Sequence, residues 1–161
     1  MKKLLLFLAI LAINFGGLAI GGWFTGPGVQ SDWYANLPQA PWTPPGWVFG
    51  AAWTVVMLGF SWFCFDVLRK TQGQSDLRAR WTQRLAVAWV LNVVWNPLFF
   101  TLHWVGIALL ELLFLFAFIV FLYKKCKEIF SSRMTPLAIL PYLTWLCVAL
   151  TLNAFSWYHI G

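Results

Sequence analysis

Apolar residues run along this chain in long unbroken stretches rather than in narrow amphipathic stripes. Charge-free segments extend from Leu4 to Trp23, Trp47 to Phe65, Leu85 to Leu102 and Thr135 to Tyr158, and Val105 to Tyr123 is interrupted only by Glu111. Each is close to the ~20 residues that a helix needs to cross a hydrocarbon layer. The third and fourth stretches nearly abut. As one helix, Leu85 to Tyr123 would be about 58 Å long, twice the thickness of that layer, so the chain must turn near His103–Gly106. Period-two alternation is absent, and a lipid-embedded backbone must satisfy its own hydrogen bonds, which leaves helices as the spanning element. The pattern predicts an all-α integral membrane bundle of five transmembrane helices, over about 4–23, 47–66, 82–102, 104–123 and 135–158. They form a single membrane domain, 1–161, with a loop over 24–46.

Composition points to the same solvent. With 61% hydrophobic, 19% aromatic and 10% charged residues, too few polar side chains remain to cover a water-soluble globule. A net charge of +6 would suggest nucleic acid in a soluble protein, but its placement excludes that reading. Lys2 and Lys3 precede the first stretch; Arg69, Lys70, Arg78, Arg80 and Arg84 join the second and third; Lys124, Lys125, Lys127 and Arg133 join the fourth and fifth. These are all 11 basic residues, and by the positive-inside rule they put the N-terminus in the cytoplasm and the C-terminus outside. Met1-Lys2-Lys3 and the small residues around Ile20 also resemble a signal peptide, yet the apolar run continues to Trp23, so a retained helix is expected. Cys64, Cys126 and Cys147 have neither metal-ligand nor disulfide spacing.

The 24–46 loop has no Lys or Arg but carries Trp33, Tyr34 and Trp42, with Trp47 just beyond, and is stiffened by Pro38, Pro41, Pro44 and Pro45. Either its rings form an interfacial belt or it folds as a lid over the helix ends; the number of rings favours the lid. Helix-period spacing then marks three inward faces. Trp89, Asn92, Asn96 and Phe99 share one on the third helix, Tyr142, Trp145, Ala149 and Asn153 one on the fifth, and Phe49, Trp53 and Met57 one on the second. Amides facing lipid are costly, so these faces should meet inside the bundle, as helix bridges or as an aromatic cavity suited to a flat hydrophobic molecule. Glu111, the carboxylate within an apolar run, is either a neutral cross-helix partner or a pocket wall. Asp66, beside Arg69 and Lys70, is expected to be a solvated interfacial charge, and His103 an interfacial residue rather than a haem ligand.

Trp33-Tyr34-x-x-Leu37, Pro41-Trp42-Thr43-Pro44-Pro45-Gly46-Trp47-Val48-Phe49-Gly50-x-x-Trp53-Thr54, Asn92-x-x-Trp95-Asn96-x-x-Phe99-Phe100 and Pro141-Tyr142-Leu143-x-Trp145 with Ala149 and Asn153 resemble the translocator protein family. That family is also called tryptophan-rich sensory protein or peripheral benzodiazepine receptor, and the resemblance covers essentially the whole chain. It implies a five-helix bundle, commonly a homodimer, with a site near the first loop for porphyrins, sterols and benzodiazepine-site drugs. Trp42, Phe49, Trp53, Trp89, Asn92, Asn96, Phe99, Glu111, Tyr142, Trp145, Ala149 and Asn153 are the expected ligand-binding residues. The vertebrate C-terminal sterol pattern is incomplete here: Leu152 and Tyr158 are followed by His159-Ile160-Gly161 with no basic residue. This shifts the expected ligand from cholesterol toward tetrapyrroles and the setting toward a bacterial inner membrane.

Three function classes follow. The first is a receptor for porphyrin-like ligands, acting in sensing or trafficking without a resident cofactor or metal. The second is light-dependent porphyrin degradation, reported for some bacterial relatives, for which the resemblance nominates Trp53 and Trp145. No acid–base pair or nucleophile triad supports ordinary catalysis. The third is an ion-coupled exporter using Glu111, which a lone acid and the lack of an internal repeat argue against.

Overall fold

The computed structural model describes residues 1–130 and 134–160. Among them, the chain forms α1 (Lys2–Val29), α2 (Asp32–Asn36), α3 (Gly46–Lys70), α4 (Ser75–Phe100), α5 (Val105–Ile129), α6 (Met134–Leu137) and α7 (Leu140–Ile160). Arg133, one of the basic residues, lies outside the described residues. The long helices pack as a ring in the order α1, α4, α5, α7, α3, with α3 closing back onto α1. The protein is an integral membrane protein: Lys2–Val29, Gly46–Lys70, Val105–Ile129 and Met134–Ile160 are each long and apolar enough to cross a bilayer. α4 differs in that Asp76, Arg78, Arg80 and Arg84 occupy its opening turns.

Several boundaries depart from the sequence expectation. α1 does not stop at Trp23 but runs through Gly26-Pro27-Gly28 to Val29, so the loop begins at Gln30 rather than at 24. Proline close to a helix end removes little hydrogen bonding. Gly28 stays helical because it packs on α4: an added Cβ would lie 2.6 Å from that of Phe100. α4 starts at Ser75, before the expected 82, and the last segment is divided, with α6 preceding α7. The turn between α4 and α5 falls at Thr101–Trp104, where His103 adopts φ 56°.

The two ends of the ring are built differently. At the end carrying the basic residues, Phe63, Val67, Trp81, Ile119, Leu122, Cys126 and Ile139 are wholly buried and pack the core. Asp66 belongs to this packing and is not solvated. Its carboxylate takes Arg69 at 2.5 Å and Lys70 at 2.6 Å, and accepts the Thr135 hydroxyl of α6. The long-range partner Thr135 and the fold of α6 over α3 remove water from a charge that local sequence leaves at a helix end. Midway along the bundle, Asn14 Nδ2 donates to Ser61 Oγ at 2.9 Å and pins α1 to α3.

Candidate functional site

The opposite end of the ring is hollow. There α1, α3, α4, α5 and α7 line a chamber of about 570 Å³ under the α1–α3 loop. This lies within the ~300–1,000 Å³ typical of small-molecule sites. The spacing of small residues on α1 makes the space. Gly17 lies against the side chain of Trp89, Gly21 against that of Asn96 and Gly28 against that of Phe100, so α1 itself puts no side chain into its contact with α4 at these positions, while Leu18, Gly22, Thr25 and Val29 border the chamber.

The floor is a cluster of rings. Tyr142, buried, meets Phe60 edge-on at 5.3 Å and Trp53 at 6.1 Å between centroids. Its hydroxyl donates to Asn92 Oδ1 at 2.7 Å, joining α7 to α4. Above the floor, Phe49, Trp53 and Trp145 form one wall; Trp145 lies edge-on to Phe49 at 5.3 Å and to Trp53 at 6.4 Å. Trp95 and Phe100 form the facing wall. Trp95 is held by its Nε1–H, which donates to Asn153 Oδ1 at 3.2 Å, while Asn153 Nδ2 donates to the Val105 carbonyl at 3.0 Å. Asn96 Nδ2 donates back to the Asn92 and Val93 carbonyls, both at 3.2 Å, and its Oδ1 accepts the Thr25 hydroxyl at 2.9 Å. The amides thus brace the helices. The aromatic part of the lining is Phe49, Trp53, Trp95, Phe100 and Trp145, with Tyr34, Gln39 and Thr43 contributed by the loop.

The loop is a tethered roof. Ser31 caps α2 by accepting the Tyr34 amide at 3.2 Å. Trp33 stacks on His103 at 3.9 Å and meets Phe99 at 5.7 Å. Leu37 is buried in a small cluster with Phe99, Val105 and Ala108, the Pro38 carbonyl accepts Ser156 Oγ at 2.8 Å, and Trp42 Nε1 donates to Thr151 Oγ1 at 3.2 Å. Beneath it a side compartment of about 70 Å³ adjoins the chamber, with Tyr34, Gln39, Thr43, Phe49, Trp95, Phe100 and Ala149 bordering both.

Of the residues expected from sequence, Phe49, Trp53, Asn92, Asn96, Trp145 and Ala149 line the chamber together. Phe99 and Asn153 border the side compartment instead. Tyr142 belongs to the floor cluster with Phe60 and Trp53. Trp89 is turned into the α1–α4 contact, where its Nε1 donates to the Ile13 carbonyl at 3.0 Å, and Trp42 clasps the outside of α7, edge-on to Phe155. Glu111 is not among the residues that line the chamber; both its carboxylate oxygens are buried and have no hydrogen-bond partner among the described residues. Sequence reasoning missed the α1 contribution, Tyr34, Gln39, Thr43 and Trp95 as lining residues. The glycines at 17 and 21 were the available signal for a close α1 approach. Among the described residues no group of His, Cys, Asp and Glu could hold a metal ion.

The TspO/MBR family model matches residues 9–158. Similar proteins include "Tryptophan-rich protein TspO" of Archaeoglobus fulgidus, 33% identical over 91% of this chain and 88% of the relative. "Translocator protein" of Homo sapiens is 29% identical over 88% and 82%, and "Tryptophan-rich sensory protein" of Cereibacter sphaeroides 29% over 76% and 73%.

Proposed function

Because the chain belongs to the TspO/MBR family, we propose that it is a membrane receptor for porphyrin-type tetrapyrroles, acting in their sensing or trafficking in a bacterial inner membrane. The chamber carries the reading: about 570 Å³ bounded by Phe49, Trp53, Trp95, Phe100 and Trp145. Opposed indole and phenyl walls suit a flat macrocycle, since stacking area is large and the rings lose little freedom. The same walls suit benzodiazepine-site ligands. The ligand and the homodimer belong to this proposal, as does a single domain of five spans, with the charge-poor part of α4 from Leu85 to Phe100 as the fifth. So does an orientation that faces the basic end to the cytoplasm and the roofed chamber outward.

The test is a titration of the purified full chain in detergent with protoporphyrin, following tryptophan fluorescence in darkness. Saturable quenching at one porphyrin per chain supports the reading; quenching that rises without saturation overturns it. Light scattering on the same sample reads the oligomer.

One observation favours a second reading. Trp53 and Trp145 face the same space with centroids 6.4 Å apart, and Trp53 continues to Tyr142 at 6.1 Å, an aromatic chain along which an oxidised centre could be shared. Illumination of the bound porphyrin in the presence of dioxygen would then bleach its absorption band faster than for free porphyrin. Export coupled to Glu111 draws no support from a carboxylate outside the chamber.

A further inference from the structure

Arg84 lies in the seam between α4 and α5, toward the basic end of the bundle and well away from the chamber. Its guanidinium carbon is 5.3 Å from the centroid of Trp81 on α4 and 5.4 Å from that of Phe121 on α5. Trp81 is wholly buried and cannot turn away, since Phe63 meets it edge-on at 6.2 Å and Phe130 lies at 6.0 Å. Stacking over two rings orients the guanidinium and leaves its five N–H donors at the edge of its plane, where Arg84 makes no hydrogen bond among the described residues. Among the described residues Arg84 forms no ion pair: Asp66 is taken by Arg69 and Lys70, and Glu128 by Lys125.

The surroundings repeat the same charge. Arg80 stands one turn before Arg84 on the same helix and is exposed. α4 and α5 follow each other through a short turn, so the end of α5, with Lys124, Lys125 and Lys127, lies beside the start of α4. Beside the seam the outer faces of both helices are apolar and open: Phe121 of α5 lies level with Arg84, and Val87, Val90 and Val94 of α4 and Phe114 of α5, farther toward the hollow end, are all exposed. A fixed, unpaired guanidinium at the border between a basic end and an apolar strip has the chemistry of an anchor for a phosphate carrying hydrocarbon.

We propose that the α4–α5 seam is a binding site for one anionic phospholipid, its phosphate on Arg84 with Arg80 alongside and its acyl chains along the exposed valines and phenylalanines. Phosphatidylglycerol is the probe, since a zwitterionic headgroup brings its own cation into a field that is already positive. Free phosphate has the same oxygens but cannot use the apolar strip. The site is independent of the tetrapyrrole reading, and its test does not use that ligand.

The delipidated full chain in mild detergent is titrated with phosphatidylglycerol, phosphatidylcholine or inorganic phosphate, with bound lipid counted by native mass spectrometry and stability followed by thermal melting. One retained phosphatidylglycerol and a raised midpoint, neither given by phosphatidylcholine nor phosphate, is the expected result. Arg84→Ala should weaken phosphatidylglycerol binding about tenfold, the loss of one charge-assisted contact. Arg84→Lys should restore it only in part, because an ammonium lacks the fork and the stacking. Phe121→Leu keeps every charge and removes one ring, so it should also weaken binding if Arg84→Ala fails to fold. Equal response to the two lipids, full effect from inorganic phosphate, or unchanged binding in both Arg84→Ala and Phe121→Leu would overturn the assignment.

Discussion

A methyl group at Gly17 would sit 2.5 Å from Trp89 Nε1, and one at Gly21 2.7 Å from Asn96 Nδ2. Neither neighbour can retreat freely, because Trp89 Nε1 is bonded to the Ile13 carbonyl and Asn96 is bonded to its own helix and to Thr25. Gly17→Ala and Gly21→Ala should therefore each destabilise the bundle by about 1–3 kcal/mol, the cost of overpacking. Gly16→Ala, with nothing within 4 Å, should leave the thermal midpoint unchanged or slightly raised. In the chamber, Trp145→Phe removes part of an indole face and should weaken porphyrin binding by about 1–2 kcal/mol. Trp62→Phe, on an exposed ring packed against Phe7 and Phe65, should not; equal dissociation constants for the two variants would place the ligand elsewhere. Asn92, Trp145 and Ala149 could be read from helical spacing because they lie near the centre of their faces. Trp89 and Phe99 are about 80° apart around the same helix, wide enough for one to meet α1 and the other the roof. Spacing gives the face of a helix but not the neighbour that covers each edge of it.

At the scale of elements, the roof is the part whose boundaries sequence placed least well. Gly26-Pro27-Gly28 reads as a breaker by itself, and it is the fit of Gly28 against Phe100 that lets α1 continue. Asp66 was equally opaque, since its partner Thr135 is separated from it by 69 positions. The Pro41–Pro45 run, by contrast, does end where α3 begins, as missing N–H groups at a helix start require. Two predictions belong here. Replacing Pro44 and Pro45 with Gly should weaken porphyrin binding while circular dichroism stays constant, because a loosened roof must be ordered again when the ligand enters; unchanged affinity would reduce the loop to an interfacial belt. Asp66→Ala leaves Lys70 and Thr135 without their shared acceptor at the α3–α6 junction and should cost about 3 kcal/mol of stability. Asp66→Glu should recover only part of it, read as the midpoint of thermal unfolding in detergent.

For the whole molecule, charge and packing are polarised along the same axis. The basic residues of α1, α3, α4 and α5 collect at the end where Phe63, Trp81 and Ile119 close the core, and the hollow end carries none of them. With its packed end on the basic side and its chamber beneath the roof, the ring holds the chamber toward one side of the bilayer, so the direction of the chain decides which compartment the roof faces. By the positive-inside rule the basic end is expected in the cytoplasm. A reporter inserted at Gln72–Gln74, between α3 and α4, should be cytoplasmic, and one fused after Gly161 should be external. This requires α4 to cross despite Arg78, Arg80 and Arg84, which it can do from Leu85 to Phe100 over about 24 Å at ~1.5 Å per residue, with Arg84 at the interface. Alkaline phosphatase and green fluorescent protein fusions at both sites distinguish the outcomes, since the first is active only outside and the second fluoresces only inside. Both positions reporting the same side would mean an even number of crossings between them, and would leave α4, or one of the helices after it, lying in the interface instead of spanning.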